Sequence, residues 1–182
     1  MSHEERNRSR QAYGLTVLTP ILADHVSPLA AHLAALAPAG GSPLARVPGT
    51  HFARWVIVDD VVYEGGRQRR DALAAARLLF TSNFDGSLGP YLEELRTGLG
   101  EDADAIWGHC AGYPGRADGG AFGRWLRAHQ VESALFFAAY GDQTVAEVSR
   151  NLDERARLTA FALAAQGLAP AELHARFREE LA

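Results

Sequence analysis

A chain of 182 residues with 47% apolar and 22% charged residues has the length and balance of a globular protein and not of a disordered one. A net charge of −4 argues against a broad nucleic-acid surface, and a single cysteine, Cys110, excludes an internal disulfide and a cysteine-rich zinc site. All 18 basic residues are arginine, so Schiff-base chemistry and the lysines of P-loop and kinase sites are absent.

No segment reaches the roughly 20 apolar residues of a membrane span. Residues 1–12 are charged at the start and carry no apolar run, so the expectation is a disordered lead-in without a signal peptide, and a cytoplasmic protein. The alanine- and arginine-rich, lysine-free composition is what a GC-rich coding sequence produces.

Residues 13–19, rich in β-branched side chains and closed by Pro20, predict a first strand. Leu22, Val26, Leu29, Leu33 and Leu36 then recur at spacings of three and four, a helical stripe over 22–37 that Ser27 would cap with Pro28 at its first position. Residues 38–43 read as a loop and 50–59 as the clearest strand, opened by Pro48-Gly49. Residues 61–71 form a polar connection. Residues 77–82 are a third strand, broken by Asn83-Phe84-Asp85-Gly86, after which Ser87 caps a helix striped by Leu88, Tyr91, Leu92 and Leu95.

About 33 residues precede the next strand, counted between these predicted boundaries. They hold a helical turn at 102–107, a glycine-rich loop and a helix at 120–129. Residues 133–140 predict the fourth strand. Thr144 and Glu147 make a capping box for a long helix striped by Val145, Val148, Leu152, Ala156, Thr159 and Leu163. Gly167 ends it, and Pro170 opens a final helix. The fold expected is α+β: a ferredoxin-like βαββαβ antiparallel sheet over residues 13–182, with inserted helices before the last strand and C-terminal helices. Apolar residues on both strand faces, such as Phe52, Trp55, Phe136 and Phe137, predict a cover for the open face: a second copy, giving a homodimer, or else the inserted or C-terminal helices.

The usual nucleotide, zinc-protease and nucleophile-elbow motifs are absent. Four polar groups remain. His51 and Arg54 lie in the strand at 50–59, whose faces both read as apolar, so Arg54 needs either a carboxylate such as Asp85 or a bound anion. Asp85 is either a turn residue or a proton carrier at the end of the sheet. The loop from Trp107 to Gly115 mixes aromatic residues with His109 and Cys110, so it packs on the sheet or lids a ligand. Phe122, Trp125, Leu126 and His129 share one helical face, which makes His129 a core residue or a ligand donor.

The element order over residues 13–140 resembles the dimeric α/β-barrel superfamily of ferredoxin-like proteins. Ser82-Asn83-Phe84-Asp85-Gly86 is similar to the Gly-x-x-Asp-Gly motif of dye-decolourising haem peroxidases, with serine in place of the first glycine. That resemblance implies haem as cofactor, Asp85 as acid/base, Arg54 as a distal cation, and His109 or His129 as the iron ligand. The function expected is a small-molecule enzyme, haem-dependent and oxidoreductase- or peroxidase-like or else cofactor-free. Its pocket would lie between the sheet and residues 107–129, with His51, Arg54 and Asp85 as catalytic candidates. The alternative is a non-catalytic ligand-binding or accessory protein on the same fold.

Overall fold

Alternation of buried and more exposed side chains builds the sheet. In β2 (Ala12–Pro20) Tyr13, Leu15 and Val17 point to one face. In β4 (Arg77–Asp85) Leu78, Phe80, Ser82 and Phe84 do the same, and in β3 (Thr50–Val58) Ala53, Trp55 and Ile57 join them. With the short β1 (Arg8–Ser9) these strands form an antiparallel sheet in the order β1-β2-β4-β3. The protein is therefore α+β. The structure, a computed structural model, describes residues 6–36, 41–61, 65–66 and 73–181. Where one domain over 13–182 was expected, backbone contacts divide the chain into two compact units, Met1–Asp142 and Gln143–Ala182.

Four α-helices of the first unit cover one sheet face: α1 (Val26–Leu36), α2 (Leu88–Leu99), α3 (Glu101–Trp107) and α4 (Gly119–Ala128). Helix α2 buries the stripe Leu88, Tyr91, Leu92, Leu95 and Leu99, and α4 buries Phe122, Trp125 and Leu126. Trp107 sits at the centre, fully buried, with the rings of Phe80, Phe122 and Trp55 at 5.4, 5.7 and 6.2 Å, each meeting it edge-to-face. The opposite face, carrying Thr16, Phe52, Arg54, Val56, Thr81 and Asn83, is not covered by these four helices.

Several boundaries differ from the sequence expectation. Residues 133–140 form no strand. The edge of β2 they would need is already occupied: β1 pairs with Tyr13 and Ala12, and farther along Gln130 bridges to Val17. Leu18 N–H donates to the His129 carbonyl and Val131 N–H to that of Thr16. The chain then passes outside β1, where Ser133 N–H donates to Asn7 Oδ1 and Ala138 N–H to Ser9 Oγ. Residues 6–12, expected in the disordered lead-in, thus supply a strand and the fully buried Asn7. Residues 1–5 lie outside the described residues.

Strand β4 continues through Asn83, Phe84 and Asp85, where a break was expected. Phe84 stacks on Tyr91 at 3.5 Å and on Tyr13 at 5.0 Å, and that burial outweighs the turn preference of its neighbours. The turn waits for Gly86 at φ +87°. Helix α1 starts at Val26, not beyond Ser27, because the His25 carbonyl already accepts the Leu29 N–H. Ser87 precedes α2 without a side-chain cap bond. The polar connection at 61–71 falls outside the described residues except for Val61, Gly65 and Gly66.

The second unit is a pair of helices, α5 (Val145–Ala164) and α6 (Pro170–Glu180). The capping box of Thr144 and Glu147 starts α5 as expected, and Pro170 starts α6. Phe161 and Phe177 meet edge-to-face at 6.0 Å, while Leu152 and Leu163 of the predicted stripe are exposed. No helix among the described residues is long and apolar enough to cross a membrane.

Candidate active site on the open sheet face

Arg54 is not buried between two layers. Alternation in β3 places it with Phe52 and Val56 on the open face, where it is exposed and its Nε donates to Thr81 Oγ1 at 3.3 Å. Asp85, the carboxylate suggested for it, is bonded elsewhere: Asp85 Oδ1 accepts from His51 Nε2 at 2.7 Å. A β-bulge makes that pairing. Thr50 faces Phe84 and Phe52 faces Asn83, so His51 has no cross-strand partner and turns towards the end of β4. Gly49, at φ +73°, closes the corner by accepting the Asp85 N–H at 3.0 Å. Both side chains of the pair are about four-fifths shielded.

Beside this pair the open face holds a cavity of about 500 Å³, bounded by Phe52, Arg54, Thr81, Asn83, Ser133 and Phe136. Asp85 follows Asn83 by two residues on the same face, about 7 Å along the strand. Gly14 forms part of the floor. A Cβ there would lie 2.7 Å from Phe136 Cδ2, so only glycine lets that ring rest on β2. Phe136 came from the segment expected to be a strand; its peeling away from the sheet edge is what carries it across the open face. Thr81 and Asn83 were missed because residue 83 read as a break. Their common parity with Leu79 is the signal that places them together.

The structure does not bring His109 and His129 to this cavity. His109 Nδ1 lies 3.0 Å from His25 Nδ1, and burial, then the nearby His25 and His32, push the His109 pKa down. His129 Nδ1 contacts the Trp125 carbonyl at 2.9 Å, with its ring 4.8 Å from that of Trp125. The region expected to be a pocket, between the sheet and residues 107–129, is filled by Trp107, Phe122 and Leu126. The Cys110 thiol is buried, within 3.2 Å of Thr19 Oγ1, and burial raises its pKa, which makes it an unreactive core residue. Neither of the iron ligands implied by the resemblance above, His109 or His129, lines the cavity holding Arg54. Among the described residues no group of three or more histidine, cysteine or acidic side chains is arranged to hold a metal ion. No protein-family model, curated protein or solved structure matches the chain.

Proposed function

We propose that this protein is a cofactor-independent small-molecule enzyme. Its His51–Asp85 pair moves a proton to and from a substrate held on the open sheet face. The observation carrying this reading is the 2.7 Å contact between His51 Nε2 and Asp85 Oδ1, two residues along β4 from Asn83 of the cavity wall. Histidine exchanges protons near neutral pH, and a carboxylate on one ring nitrogen fixes the tautomer and aims the other. Nδ1 is then the atom that takes the proton. The order β2-β4-β3, with Gln130 bridging to β2 where a fourth strand would lie, supports a ferredoxin-like sheet of the dimeric α/β-barrel kind. Phe52, Leu135 and Phe137, 77%, 86% and 78% exposed, favour a second copy closing the cavity.

Hydrogen–deuterium exchange tests the chemistry. A panel of small enolisable ketones, aldehydes and carboxylic acids is incubated with the protein in D₂O and followed by proton NMR. A proton leaves the carbon next to the carbonyl for His51 Nδ1, and a solvent deuteron replaces it. His51→Asn is expected to slow exchange by about 10²-fold or more, and His174→Asn on α6 to leave it unchanged. No exchange across the panel, or exchange indifferent to His51, refutes the proposal. Light scattering that returns a mass near 19.6 kDa refutes the dimer.

A further inference from the structure

We infer that the molecule bound on the open sheet face is a flat organic monoanion, a carboxylate seated on the Arg54 fork. This rests on the small-molecule reading of the same cavity and adds the class of ligand.

Charge comes first. Among the described residues Arg54 is the one charged residue in the cavity wall. In the same unit Arg10, Arg46, Arg96 and Arg116 each pair with a carboxylate. Among the described residues Arg54 has only the Thr81 hydroxyl on Nε, which leaves both terminal nitrogens, a pair that can grip a carboxylate end-on, without a partner. The surrounding polar groups are neutral and can donate. Thr81 accepts from Arg54, so its own hydroxyl proton is available, and neither the Asn83 amide nor the Ser133 hydroxyl has a side-chain partner among the described residues. One cation with neutral donors matches a single negative charge. A doubly charged phosphate monoester would leave charge unbalanced with the Asp85 carboxylate nearby.

Shape comes second. The rings of Phe52 and Phe136 stand in the wall, and the bare backbone of Gly14 is in the floor. Such a slot takes a planar apolar body and orients it by its charged end, which leaves the body reaching towards the His51–Asp85 end of the sheet.

The test uses three probes of one shape, benzoate, benzamide and phenyl phosphate, titrated into ¹⁵N-labelled full-length protein at pH 7.5. Benzoate is expected to move the Asn83 side-chain amide and Gly14 backbone signals and to bind at least tenfold more tightly than benzamide. Arg54→Gln is expected to shrink that preference to within twofold, with signals elsewhere unmoved because the side chain is exposed. Arg54→Lys, which keeps the charge without the fork, is expected to fall between. Benzamide binding as tightly as benzoate at the same signals overturns the anion inference and leaves the site standing. Tighter binding of phenyl phosphate overturns the single charge. If no probe moves these signals while His51-dependent exchange persists, the ligand class is wrong and the enzyme reading survives; if that exchange is also absent, both fall.

Discussion

Gly14→Ala tests the packing that shapes the open-face cavity. The new methyl would lie 2.7 and 2.8 Å from Phe136 Cδ2 and Cε2, against the roughly 3.5–4.0 Å at which carbon atoms sit comfortably. Either the ring or the strand has to shift by about 0.8 Å to restore that separation. Alanine in a strand interior is by itself worth about 0.5–1 kcal/mol over glycine, while overpacking costs about 1–3 kcal/mol. The single variant is therefore expected to lose up to about 2.5 kcal/mol. In a Phe136→Ala background the clash is gone, and the same change is expected to gain about 0.5–1 kcal/mol. The double-mutant coupling is then on the order of 1–3 kcal/mol. All three tryptophans, Trp55, Trp107 and Trp125, belong to the first unit, so tryptophan fluorescence during urea unfolding follows that unit alone. Midpoints compared at constant slope give the four stabilities. Equal effects of Gly14→Ala in both backgrounds would show that Phe136 does not rest on β2.

Two further outcomes follow from buried polar groups. Tyr91 O–H meets Ser82 Oγ at 2.5 Å and Thr50 Oγ1 at 3.1 Å, with burial raising the phenol's pKa. Tyr91→Phe leaves Ser82, 1% exposed, without that partner and is expected to cost about 1–3 kcal/mol, most of it recovered by adding Ser82→Ala; no recovery refutes the pairing. For His109 the folded pKa lies below the ordinary 6.5, so the unfolded chain takes up a proton first as pH falls. Its contribution to stability is complete above 6.5 and is lost as pH drops towards the lower folded value. His109→Gln is expected to flatten the decline in urea midpoint between about pH 7.5 and 5.5; a decline as steep in the variant refutes that role.

The strands and helices were legible where one period dominated. Val17, Trp55 and Phe80 announce their strands by alternation, and Leu88, Tyr91, Leu92 and Leu95 their helix by threes and fours. Phe84 was hidden because the turn-forming residues around it speak locally, whereas its burial depends on Tyr13 and Tyr91 from other elements. Residues 133–140 have strand composition, but a strand also needs a free edge, and β1 together with the Gln130 bridge had taken it. Of the candidate site, His51, Arg54 and Asp85 were named from type and place alone. The bulge that turns His51 to Asp85 is a property of the pairing between β3 and β4, which no single strand displays.

Composition and periodicity, acting along the chain, determined that this is an α+β protein with an antiparallel sheet, helices over its core and a capped C-terminal helix. Such features depend on neighbours a few residues away, whose spacing the backbone imposes. Tertiary structure alone decided which sheet face stays open, that Arg54 stands on it without a carboxylate among the described residues, and that Phe136 crosses it over Gly14. Those facts depend on competition for one strand edge and one volume of core. Asn7–Ala12 and Trp107 won those places, and the segment they displaced became part of the wall of the candidate site.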